Sequence, residues 1–163
     1  MAKALGSMVR LQRTSAPARS LVGLRIGATH CAVETASVIG VLGADDSLLA
    51  GAHPSALVIG LKEHAGALIP IVDLRRWTGF STGVAAVSTR PRWLLVRGAS
   101  GPFGIAADEV SGVFEASVDD ERPVALAAAG ALVRVGLANG RVTALELDLD
   151  VIASALGASG DRA

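Results

Sequence analysis

From Ser20 onward, short apolar runs alternate with glycine-centred breaks, and each run is too short for a helix. "SLVGLRI" (20–26), "THCAV" (29–33) and "SVIGVL" (37–42) come first. Gly27-Ala28 between the first two predicts a tight hairpin with glycine at its first central position. "GADDSLLAGAHPSA" (43–56) is polar and turn-rich and reads as a loop. "LVIGL" (57–61) and "ALIPIVDL" (67–74) follow, separated by "KEHAG". After the surface connection predicted at 81–91, "RWLLVR" (92–97), "FGIAA" (103–107) and "VSGVFE" (110–115) resume the strands. "SVDDERPVALAAAG" (117–130) is mixed, with an acidic, exposed first half. "ALVRVGL" (131–137) and "RVTALEL" (141–147) flank Asn139-Gly140, a strong hairpin signal. The final "DLDVIASALG" (148–157) predicts one short helix, with Asp148 as N-cap and Gly157 just past its end.

Roughly ten short strands with little helix predict an all-β barrel or sandwich. A faint repeat refines this. "AVETASVIGV" (32–41) resembles "GIAADEVSGV" (104–113), and "ALIPIVDL" (67–74) resembles "VTALELDL" (142–149), at offsets of 72 and 75 residues. Two similar small sheets, one per half, account for the repeat, and chance similarity in a chain rich in Val, Ala and Gly is the alternative. Pro70 in the middle of an apolar strand is out of place in a regular sheet, because proline has no N–H for the ladder.

Composition narrows the function. The 163 residues carry fifteen basic and fifteen acidic side chains, so the formal net charge is zero and there is no basic excess for nucleic acid. The basic residues Lys3, Arg10, Arg13, Arg19 and Arg25 all precede the first acid, Glu34. Residues 1–19 therefore read as a flexible basic tail, with a transit peptide as the alternative, and 158–163 as a second flexible tail. No secretory core or run of eighteen apolar residues occurs, which predicts a soluble, cytoplasmic protein without direct membrane insertion. The lone Cys31 excludes an internal disulfide framework. Aromatic residues make up 3% of the chain, too few for base-stacking platforms.

No catalytic constellation emerges. His30, His53, His64 and Cys31 lack metal-ligand spacing, so no metal is expected, and Cys31 reads as a small core filler. There is no G-x-S-x-G elbow. "GASGPFG" (98–104) lacks the lysine of a phosphate loop. Asp119, Asp120 and Glu121 form an acidic run without calcium-loop spacing. No cofactor and no catalytic residue is assigned, which leaves a binding module.

"PSALVIGLKEHAGALIPIVDLR" (54–75) resembles the signature of the chemotaxis coupling proteins, the CheW-like domains, through Pro54, Gly60, Leu61, Gly66, Ile69, Pro70, Ile71, Val72, Asp73 and Leu74. "LVGLRIGATHCAVETASVIGVL" resembles the family's opening strands. "FGIAADEVSGVFE", with Asp108, Glu109 and Val110 in step, resembles a later one, and "LELDLDVIAS" resembles its closing stretch. The likeness spans about residues 20–156 in unbroken order. It implies a CheW-like domain over 20–157 built of two intertwined five-stranded, SH3-like β-barrels with a short C-terminal helix. It also implies a scaffold without catalysis or cofactor. The partners implied are the regulatory domain of a CheA-type histidine kinase and the cytoplasmic tip of methyl-accepting chemoreceptors. The partner-binding residues it points to are Val38, Gly40, Gly60, Leu61, Glu63, His64, Ala65 and Gly66. Plain core for Val38 and a bulge or crowded bend for Gly60 are the competing structural readings. The chain departs from the family at Gly40, often Glu, at Glu63, usually Asn, and at Ala65, usually Arg.

Two alternatives stand beside the scaffold. One is a self-associating or small-ligand-binding β-protein. The other is a small enzyme using Cys31, His64 and an acid such as Glu63, which requires Cys31 and His64 within hydrogen-bond reach.

Overall fold

The computed structural model describes residues 19–45, 48–51, 53–76, 91–116, 122–126, 130–136 and 143–157. The basic segment 1–18, the acidic run at 119–121, the Asn-Gly turn at 139–140 and the tail 158–163 lie outside the described residues.

Eleven strands and one helix are described: Arg19–Ile26 (β1), Thr29–Glu34 (β2), Val38–Gly43 (β3), Val58–His64 (β4), Ala67–Val72 (β5), Arg92–Gly98 (β6), Gly101–Ala107 (β7), Glu109–Ala116 (β8), Arg122–Leu126 (β9), Gly130–Gly136 (β10), Thr143–Glu146 (β11) and Leu149–Gly157 (α1). Single 3₁₀ turns, Thr35–Ser37 and Leu74–Arg76, follow β2 and β5. β1 and β2 form the hairpin predicted at Gly27-Ala28, and Gly27 takes φ 59° at its first central position. Asp148 caps α1, its Oδ1 accepting the N–H groups of Asp150 (3.0 Å) and Val151 (3.2 Å).

The strands form a six-stranded sheet, β8-β1-β2-β11-β10-β9, and a five-stranded sheet, β3-β6-β7-β5-β4. The expected pair of closed five-stranded barrels is therefore corrected to two sheets. Among the described residues neither sheet is closed by pairing of its end strands. The physical reason lies at the edges. β9, unanticipated in the sequence, extends the first sheet. In the second, the outer edge of β4 is taken by segment 48–51, where Leu49 and Leu61 exchange backbone bonds of 2.8 and 3.0 Å.

The repeat has a structural counterpart. β1, β2, β3, β4 and β5 correspond in order to β6, β7, β8, β10 and β11. The order β8-β1-β2-β11-β10 thus matches β3-β6-β7-β5-β4. Each sheet contains one parallel pair, β2 with β11 and β5 with β7. β3 and β8 each carry a bulge near the start, at Ile39 and Ser111, matching positions of the repeat. All the strands between Val38 and Ala107 lie in the five-stranded sheet, so that sheet is one contiguous unit inserted between β2 and β8.

Three clusters make the core. β1 sends Leu21 into a small core of the six-stranded sheet, with Ala32, Ala116 and Ala144. It sends Val22, Leu24 and Ile26 into a larger core shared by both sheets. β6 does the same: Trp93 and Leu95 face the five-stranded sheet's own core, while Leu94 and Val96 face the shared one. Both strands are buried on both faces, which is why they read as continuous apolar runs rather than alternating ones.

Pro70 fits because of register. Leu61 opposite it spends its N–H and C=O on Leu49, so the Leu61–Pro70 pair exchanges no hydrogen bonds. The β5–β7 ladder begins one residue later, at Ile71. No ladder bond is lost to the missing N–H. Asp73 directly follows the strand, its Oδ1 accepting the Arg75 N–H at 3.0 Å.

Candidate partner-binding surface

The residues nominated in the sequence fall on two edges of the five-stranded sheet. Val38 opens β3; it is half-buried and packs against the shared core. Val110, its counterpart, is the second residue of β8 and packs against the same core. Gly40 follows the β3 bulge, and a Cβ there would meet nothing within 4 Å. On β4, Gly60 is buried beside a bulge, where a Cβ would stand 3.0 Å from Leu48 Cβ and 3.3 Å from the Leu49 carbonyl. Close backbone approach explains this glycine. Leu61 is half-buried against the same segment.

Glu63, His64, Ala65 and Gly66 come together at the β4–β5 tip. His64 pairs with Ala67 across a two-residue turn, and Ala65 (φ 50°) and Gly66 (φ 80°) are both left-handed. That pattern is a type I′ turn. Lys62, Glu63 and His64, expected as part of a connection, are instead the last residues of β4. β3 and β4 end the sheet on opposite sides of its hydrogen-bonded order, so Gly40 and Ala65 are not on paired strands.

The enzyme alternative is not assembled. Cys31 lies on β2 in the six-stranded sheet and His64 on β4 in the other. Cys31 is 1% exposed, and desolvation by burial pushes its thiol from 9.0 up to about 12. It is a neutral thiol at physiological pH, not a nucleophile. Among the described residues no group of three or more His, Cys, Asp or Glu is placed to hold a metal ion.

Sequence reasoning missed the exposed apolar residues of the swapped edge strands. Ile39 and Val41 on β3 are 40% and 45% exposed, and Val113 on β8 is 64% exposed. Val41 and Val113 occupy matching positions of the repeat, one residue after Gly40 and Gly112. The repeat was the signal that could have found them, since edge strands at equivalent places leave equivalent residues uncovered. Leu68 on β5 and Leu49 are also exposed.

A cleft of 320 Å³ lies beside the 3₁₀ turn at 35–37 and is lined by Arg19, Glu34, Ser37, Arg97, Glu146 and residues 147–150. Arg19, one residue before the expected start of the domain, is the first residue of β1. Its guanidinium bridges Glu34 and Glu146, with one contact to Glu146 at 2.9 Å. No local sequence signal joins these three residues, which come from different stretches of the chain.

Comparison with known proteins agrees with this geometry. No curated protein matches the sequence significantly. Fifteen solved chains match in structure. One is the scaffolding protein TtCheW from Thermoanaerobacter tengcongensis. It superposes with a TM-score of 0.64 over 82% of this chain and 90% of that one, at 15% identity. At that identity the match speaks for the fold. The family model for the CheW-like domain matches residues 20–156. That span takes in every described strand residue except Arg19 and all of the helix except Gly157, so this chain belongs to the CheW-like domain family.

Proposed function

We propose that this chain is a non-catalytic scaffold of a chemosensory array, coupling chemoreceptors to a CheA-type histidine kinase. The observation that carries the reading is the family match running unbroken over residues 20–156. Two features of the chain support it. Cys31, the thiol that the enzyme alternative relies on, is buried and neutral. Exposed Ile39, Val41 and Val113 lie on the edge strands β3 and β8, where a protein partner adds contacts most readily.

On this reading residues 20–157 form one domain of two intertwined halves. The partner surface comprises Val38, Gly40, Gly60, Leu61, Glu63, His64, Ala65 and Gly66, extended by Ile39 and Val41 on the same edge strand. The kinase's regulatory domain and the receptor's cytoplasmic tip are the partners, which places the protein in the cytoplasm at receptor arrays. No helix among the described residues is long and apolar enough to cross a membrane.

The test is reconstitution. The purified chain is mixed with a CheA-type kinase and a chemoreceptor cytoplasmic fragment from the same genome, and sedimented. The expected result is that it enters the pellet with both and raises receptor-dependent kinase autophosphorylation. A chain that stays in the supernatant and leaves the kinase unchanged would sink the proposal.

A further inference from the structure

The chain passes between the two sheets at two places. The first crossing, from β2 to β3, is the 3₁₀ turn at 35–37. There the Thr35 and Ser20 hydroxyls share a surface hydrogen bond of 2.9 Å, and the cleft opens alongside. The second, from β7 to β8, is a single residue, Asp108. It is bound on several sides. Asp108 Oδ2 accepts the Gly27 N–H at 2.6 Å, and the Asp108 N–H donates to the Arg25 carbonyl at 2.8 Å. Oδ1 faces Arg75 Nη1 at 3.8 Å, and Arg75 is itself held by Asp73 through Nε at 2.9 Å.

We propose that Asp108 is the positioning residue that sets how the five-stranded unit sits on the six-stranded sheet, and thereby the separation of the edge strands β3 and β8. The shared core draws the sheets together, but apolar burial is non-directional and packed layers retain small shear motions. Orientation needs directional contacts. Asp108 supplies them at the end of β7, where its carboxylate reaches a turn of the opposite sheet. A hydrogen bond from N–H to a carboxylate is short and roughly twice as strong as a neutral one. The Arg75 contact is longer, and the Arg75 side chain is 42% exposed, so it adds less. At the other crossing the Ser20–Thr35 hydroxyl contact and the ion pairs of Arg19 with Glu34 and Glu146 join strands of the six-stranded sheet and the turn that leaves it. A cleft adjoins, so on this proposal displacement is easiest on that side. The consequence for partners rests on the reading that these edges dock them; the geometric claim stands apart from it.

Spin labels at Val41→Cys and Val113→Cys report the separation of the edges by pulsed electron resonance, with Cys31 buried from the label. In the full chain a narrow distance distribution is expected. Asp108→Ala should broaden or shift it, whereas Asp108→Asn, which keeps an oxygen for the Gly27 N–H, should leave it narrow. An Asp108→Ala distribution as narrow as the parent's overturns the proposal. Should that variant fail to fold, amide exchange in the unsubstituted chain decides. The Gly27 amide should exchange about ten- to a hundredfold more slowly than that of Ala28 at the same turn. Equal rates would overturn it. Sedimentation with kinase and receptor is scored separately. Weaker co-sedimentation of Asp108→Ala supports the consequence for partners, and unchanged co-sedimentation with a broadened distribution refutes that consequence alone. A parent chain that never co-sediments sinks the scaffold reading and leaves the geometric result intact.

Discussion

Ala65 is the one described non-glycine residue with a left-handed backbone, at φ 50°. An L-residue there is strained by about 1–2 kcal/mol, and glycine is not. Glycine in turn loses about 0.5–1 kcal/mol more conformational freedom on folding. Ala65→Gly should therefore stabilise the chain, by about 0.5–1 kcal/mol, seen as a higher urea midpoint at unchanged slope. A lower midpoint would mean that the turn is not type I′ in solution. Cys31 gives a second prediction at this scale. Its pKa is raised from 9.0 to about 12 by burial. The folded state thus holds the proton more tightly than the unfolded state. The stability this contributes is fully present below pH 9.0 and is lost as pH rises toward about 12. Urea titrations across that range should show a decline that Cys31→Ala flattens, and an identical decline in the variant would assign it to other groups.

The edge strands β3 and β8 are where the elements meet solvent. Val41 and Val113 are exposed at matching places of the repeat, and side chains placed so bear little on the fold. Val41→Asp and Val113→Asp should each change stability by no more than about 0.5 kcal/mol, as surface substitutions do. If these edges dock partners, each should also reduce co-sedimentation with the kinase or the receptor. Folded variants that bind like the parent would remove these strands from the partner surface. The elements themselves were largely legible because each buried strand is an apolar run. β4 was read short because Lys62, Glu63 and His64 continue it, and a strand next to solvent tolerates such residues. The turn at Gly27-Ala28 and the cap at Asp148 were legible because their chemistry is local. The pairing of β2 with β11 and of β5 with β7, and the Arg19–Glu34–Glu146 cluster, join distant stretches, and no short motif encodes them. For the partner surface, the sequence named the β4–β5 tip through family resemblance. It could not separate exposed Val41 from buried Val96, since both are valines in apolar strands.

At the scale of the whole molecule, the inserted unit 38–107 is contiguous in sequence and has a core of its own in Ile69, Ile71, Trp93, Leu95 and Ala106. That suggests independence, and the energetics oppose it. The unit also contributes Val72, Leu74, Leu94, Val96, Phe103 and Ile105 to the shared core, each 0–1% exposed in the whole chain. Excised, it leaves these side chains without their packing from β1, β2 and α1. Fully burying an aliphatic or aromatic side chain is worth about 1.5–3 kcal/mol. Losing even half of that at each of these positions approaches the total stability of a small domain, about 5–15 kcal/mol. A fragment of 38–107 should therefore lack a cooperative urea transition and show poor amide dispersion. The full chain should unfold in one transition, with far-UV circular dichroism and amide exchange in β1 and β6 giving the same free energy. Leu94→Ala, in the shared core, should cost about 2–5 kcal/mol and lower protection in both sheets together. A fragment that folds with the stability of the parent, or a loss of protection confined to the five-stranded sheet, would show that the two halves are separate folding units joined by the chain, and that their common core is incidental to stability.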